Sequence, residues 1–177
     1  AGLQYIHSGG TGTVSTMMSG GYMNISSGGA GVVSTMSGGE QNIYSGGTGI
    51  VSTMSGGLQS LASGGTGTVS TMSGGLQNVS SGGAVTLGVM NGGYQTLAGG
   101  TGTISTMSSG TQTVSSGGTG IIGTFINGRQ NVTEGSGTIS TMSGGTQNIY
   151  SGATGTVSAV RYGGIQNVRN GGTGTIS

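Results

Sequence analysis

The feature that most constrains this chain is a unit of about 18 residues that recurs from end to end. The stretch Gly67-Thr68-Val69-Ser70-Thr71-Met72-Ser73-Gly74-Gly75-Leu76-Gln77-Asn78-Val79-Ser80-Ser81-Gly82-Gly83 is one copy, and small variations on it account for nearly the whole sequence. Two apolar columns set the register. The first is Val14, Val33, Val51, Val69, Leu87, Ile104, Ile122, Ile139, Val157 and Ile176, with successive spacings of 19, 18, 18, 18, 17, 18, 17, 18 and 19. The second is Ile6, Ile25, Ile43, Leu61, Val79, Leu97, Val114, Val132, Ile149 and Val168. A third column follows the first by three residues: Met17, Met36, Met54, Met72, Met90, Met107, Phe125, Met142 and Val160. A fixed period of this length is the signature of a repeat architecture in which each unit buries its apolar face against its neighbours.

Helix is excluded by the punctuation. Gly-Gly or Ser-Gly pairs interrupt every candidate segment within a few residues, and glycine is a poor helix former. β-Branched columns favour strands. A coil of short strands that turns at glycine and returns in register is a parallel β-solenoid, so the expected fold is all-β, with about ten rungs of ~18 residues stacked at about 4.8 Å. The chain is read as a single solenoid region over residues 1–177. It opens within a repeat, at Ala1-Gly2-Leu3-Gln4-Tyr5-Ile6, and is read as part of a longer protein.

Alternation assigns faces. With Val79 pointing inward, Gln77 also points inward, while Leu76, Asn78 and Ser80 point outward. The outward columns are chemically mixed, for example Leu3, Tyr22, Glu40, Leu58, Leu76, Tyr94, Thr111, Arg129, Thr146 and Ile165. The inward column is uniform: Gln at 4, 41, 59, 77, 95, 112, 130, 147 and 166, with Met23 as the exception. Stacked glutamines satisfy one another by hydrogen bonds along the stack. Val69 and Met72 are three apart, so both face inward only if the chain bends between them. A corner near Ser70-Thr71, added to the Gly-Gly corners, predicts about three sides. The degenerate copies, at Ala84–Asn91, Gly99-Gly100 and Phe125–Arg129, are expected to form local bulges without a domain boundary.

Composition narrows the function. Only 3% of residues are charged and the formal net charge is +1, which leaves no electrostatic footprint for nucleic acid or an anionic membrane. Without cysteine there are no disulfides or thiolate metal sites. No apolar run approaches the roughly 18–20 residues of a membrane span, and no signal-peptide pattern opens the chain. His7 is the only histidine and lies in an outward column. Glu40 and Glu134 stand about five rungs apart, which does not suit paired carboxylate chemistry. Patterns such as Gly10-Thr11-Gly12 lack the lysine and following helix of a phosphate loop. No catalytic residue, cofactor site or metal site is expected, and a carbohydrate-cleaving solenoid would need clustered acids.

What remains is surface. One column of serines precedes a Gly turn: Ser8, Ser27, Ser45, Ser63, Ser81, Ser116 and Ser151. A second precedes the other turn: Ser19, Ser37, Ser55, Ser73 and Ser143. Exposed turn hydroxyls are acceptors for O-linked sugars, although serine is also simply a good turn residue. Tyr5, Tyr22, Tyr44, Tyr94, Tyr150 and Tyr162 add outward aromatics suited to contacts with sugars or another rod. A different reading, an ice-binding solenoid, rests on Thr13, Thr68, Thr86, Thr103, Thr138, Thr156 and Thr175 beside Thr11, Thr48, Thr66, Thr101 and Thr119, with Val32, Ile50 and Ile121 interrupting the face.

The unit Ser-Gly-Gly-x-Gln-Asn-Val-Ser-Ser-Gly-Gly-Thr, seen with changes at Ser73–Ala84, Ser37–Thr48 and Ser143–Thr154, resembles the passenger repeats of AIDA-type self-associating autotransporter adhesins. That resemblance covers essentially the whole chain. It implies a right-handed parallel β-helix displayed on the extracellular side of a bacterial outer membrane, or secreted, with a C-terminal translocator barrel in the full-length protein. It implies host-cell adhesion, bacterial aggregation and biofilm formation through contacts with a host surface or another copy of the chain. It also implies a heptosyltransferase that modifies repeat serines, without deciding between the two serine columns. The low charge departs from relatives that self-associate through ionic contacts.

Overall fold

A computed structural model describes residues 2–177, so Ala1 of the opening partial repeat lies outside the described residues. The chain is a β-solenoid. Among the described residues twenty strands alternate between two kinds, a short one such as Leu76–Ser80 and a longer one such as Thr66–Met72, although the last two of the second kind, Thr154–Val157 and Thr173–Ile176, shorten to four residues. The short strands form one ten-stranded parallel sheet and the longer strands another, each in unbroken sequence order. No helix occurs among them. Pairing follows the repeat register: Gln77 stands beside Gln59 and Gln95, Val79 beside Leu61 and Leu97.

The expected core is the observed core. Val69, Met72, Gln77 and Val79 are buried, as are their counterparts through most of the stack, and Phe125 fills a methionine position. There are two ladders, and the corner predicted near Ser70-Thr71 is a bend inside one strand. Thr66–Met72 runs through it without a break, and the pairing skips from Val69–Val51 to Thr71–Thr53, leaving Ser70 out of the ladder. Skipping one residue lets Val69 and Met72 face the same interior without ending the sheet.

The degenerate copies leave strand order intact. One serves the core in an unforeseen way, because Val85 is buried at a position where the other rungs carry glycine. The last rungs depart from expectation. Val160, assigned to the inward methionine column, is 39% exposed and holds only an isolated bridge to Met142. Val168 and Ile176 are 47% and 55% exposed, since no further rung among the described residues covers them. Burial in this fold comes from the rung above as much as from the sheet opposite.

A satisfied interior and its repeating outer faces

The interior polar column is a continuous ladder. The Nε2 of Gln59, Gln77, Gln95 and Gln112 each donates to the Oε1 one rung earlier at 2.8, 2.7, 2.7 and 2.6 Å. The series continues through Gln130, Gln147 and Gln166 at 2.6, 2.7 and 2.8 Å. Several of these amides also reach the opposite sheet, as Gln147 does to the Gly137 carbonyl at 3.1 Å. Met23 breaks the ladder. Gln41 Nε2 donates only to the Met23 sulfur at 3.5 Å and the Gly31 carbonyl at 3.3 Å, and Gln4 Oε1 is left buried without a partner. Burying a polar column costs little only while each member is satisfied.

A second interior column escaped the sequence reading. Gly12, Gly31, Gly49, Gly67, Gly102, Gly120, Gly137 and Gly155 are all buried. A Cβ at Gly102 would come within 2.7 Å of Leu97 Cδ2 and 2.8 Å of Gln95 Oε1. Glycine here lets the two sheets approach until the Gln and Leu side chains of one lie on the backbone of the other. The signal was present in the sequence, since the alternation that turned Val69 inward also turns Gly67 inward.

The two serine columns, equivalent in sequence, sit in different turns. Ser80-Ser81-Gly82-Gly83 is closed by a 2.9 Å bond from the Gly83 N–H to the Ser80 carbonyl, with Gly82 at φ 74°. That arrangement fits a type II turn, whose third residue must take positive φ, and it puts Ser81 at the outer corner. Ser8, Ser27, Ser45, Ser63, Ser81, Ser116 and Ser151 are all exposed. In the other turn Ser19, Ser37, Ser55 and Ser73 are exposed and Ser143 is half-buried. Two of the hydroxyls there, those of Ser37 and Ser55, turn back toward the stack and donate to the Met17 and Met36 carbonyls at 3.3 and 3.5 Å.

The outer face of the longer sheet carries the two threonine columns side by side, as at Thr66 and Thr68, broken by Ala30, Ala84, Val32, Ile50 and Ile121. The outer face of the shorter sheet carries the mixed columns. Tyr5, Tyr22, Tyr44, Tyr94 and Tyr162 are exposed, and Tyr150 is half-buried. Glu134 lies about five rungs from Glu40, and the described residues contain no group of three His, Cys, Asp or Glu able to hold a metal ion. Compared with protein families, with curated proteins and with solved structures, the chain matches none.

Proposed function

We propose that this solenoid is a structural, non-catalytic adhesive module of the autotransporter-passenger kind, carried on a bacterial surface, where it mediates adhesion to host cells, aggregation and biofilm formation. The observation that carries the reading is the division of labour in the repeat: through most of the stack the inward positions are spent on packing or on the glutamine ladder. The outward positions form long, repeated faces with little charge. Such a rod presents many equivalent contacts at a regular ~4.8 Å step, which suits multivalent binding.

Within that reading the serines are O-glycosylated, and a heptosyltransferase is the proposed modifying partner. Turn geometry favours Ser8, Ser27, Ser45, Ser63, Ser81, Ser116 and Ser151 as acceptors over Ser19, Ser37, Ser55, Ser73 and Ser143. The first set stands at outward corners, whereas Ser37 and Ser55 in the second bond back to the stack. Display of the chain, fused to a translocator barrel, on a non-aggregating bacterium tests the adhesive role by settling and host-cell attachment. Cells that settle and attach no more than cells displaying an unrelated solenoid would refute it. Intact-mass analysis of protein from its native host tests the modification: a ladder of heptose or hexose increments supports it, and an unmodified mass overturns it. Peptide mapping then decides between the columns.

The paired threonine columns favour one other reading, an ice-binding face, because both lie on the outside of a single parallel sheet. Absence of thermal hysteresis in the purified chain disposes of it.

A further inference from the structure

The shorter sheet's outer face changes character in its last rungs. Earlier copies already carry the asparagine ladder, as in the 3.1 Å bond from Asn42 Nδ2 to Asn24 Oδ1, beside Leu, Tyr, Thr, Ser and Glu40, but cations on this face appear only at Arg129 and Arg169, with Arg161 outside the sheet between Thr154–Val157 and Ile165–Val168. Two of them, Arg129 and Arg169, line a surface groove of about 470 Å³ together with Asn131, Asn148, Asn167 and Tyr150. No carboxylate lines it. Glu134 is nearby in sequence, but its side chain leans toward Gly152 at the turn.

The floor of the groove is preorganised. Asn148 Nδ2 donates to Asn131 Oδ1 at 2.9 Å, and Asn167 Nδ2 donates to Asn148 Oδ1 at 3.0 Å. Each of these donors spends one N–H on the ladder and keeps a second. Asn148 is held at 7% exposure. At the far wall the Arg169 guanidinium lies 5.7 Å from the centre of the Tyr150 ring, a cation–π geometry that fixes both. Arg129 and Arg169 are separated by two rungs along the axis, about 10 Å, and by four residues across the sheet, about 13 Å. The groove is therefore an elongated polar trough with a cation at each diagonal corner, amides along the floor and an aromatic wall.

We propose that this trough binds an acidic oligosaccharide, with uronate carboxylates paired to Arg129 and Arg169, hydroxyls bonded to the Asn131–Asn148–Asn167 amides, and a sugar face against Tyr150. The guanidinium fork matches a carboxylate in two parallel hydrogen bonds. An oligosaccharide chain can follow the backbone diagonal between the two arginines. A nucleic acid would demand many more phosphate contacts than two cations supply. This inference rests on the reading of the rod as a binding surface and names one partner for it.

The test is titration calorimetry of the purified chain with tetragalacturonate, with neutral maltotetraose as comparison. Tetragalacturonate is expected to bind, more weakly as salt rises, and maltotetraose is not. Arg129→Gln and Arg169→Gln should each weaken binding about tenfold, the loss of one charge-assisted pair. Arg161→Gln removes the same charge outside the trough and should leave binding unchanged. Circular dichroism of each variant confirms that the exposed substitutions leave the coil folded. The proposal is overturned if tetragalacturonate does not bind, if maltotetraose binds equally, or if Arg161→Gln weakens binding as much as the other two. It is also overturned if the trough variants merely convert a self-associated rod to a monomer, which would make the trough a contact between copies. Failure here with intact aggregation by displaying cells would remove this inference alone; binding without aggregation or attachment would remove the adhesive reading alone.

Discussion

Replacing Gln95 by Met puts the glutamine ladder under a direct thermodynamic test. Methionine fits the site, since Met23 occupies the same column fully buried. The substitution changes hydrogen bonding with little change in volume. Gln77 Oε1 loses its donor at 2.7 Å, and Gln112 Nε2 exchanges a 2.6 Å bond for a weak sulfur acceptor. An orphaned buried acceptor costs about 1–3 kcal/mol and a lost bond about 0.5–1.5 kcal/mol, so Gln95→Met should destabilise by about 2–4 kcal/mol. The native break at Met23 shows the same pattern, with Gln4 Oε1 unpartnered below it and Gln41 on sulfur above it. Now add Gln77→Met. The interrupted segment lengthens, but it still has one orphaned acceptor, Gln59 Oε1, and one weakened donor, Gln112 Nε2. The double variant should therefore cost about 2–4 kcal/mol again, where independent sites would cost about 4–8 kcal/mol. Urea unfolding followed by circular dichroism measures all three free energies. If the two substitutions add to within ~0.5 kcal/mol, the glutamines act singly and the ladder argument is wrong.

Three further outcomes follow from the packing. Gly102→Val drives its Cβ into Leu97 and Gln95 and should destabilise by about 1–3 kcal/mol; adding Leu97→Val should recover part of that, as in the native Val79–Val85 pair, and thermal melting of both variants checks it. Glu134 sits at φ 55° in a three-residue turn, so Glu134→Gly should stabilise by about 1 kcal/mol in the same urea assay. Met72→Asp places a carboxylate in a fully buried site and should abolish cooperative thermal unfolding, whereas an unchanged melt would contradict the assigned inward face.

Some of the candidate surface was legible residue by residue. Outward positions could be named by alternation from Val79, and the exposure of Ser80 and Tyr44 agrees. The difference between the serine columns was not legible, because Ser73 and Ser81 both precede Gly-Gly and only the turn hydrogen bonding separates them. Nor was the trough singled out: Arg129 and Arg169 are 40 positions apart, and their relation depends on two rungs stacking in register.

By itself the sequence determined the repeat length, the strand-only architecture, the inward apolar columns and the uniform glutamine column, because these follow from local periodicity and the conformational limits of glycine. Tertiary structure decided how the columns meet. It made the Ser70 corner a bend within one sheet, pressed Gly102 against Leu97 and Gln95, and left Val160, Val168 and Ile176 exposed where no further rung of described residues covers them. Those outcomes depend on the distance between sheets and on whether a rung lies above, quantities that a one-dimensional period does not contain.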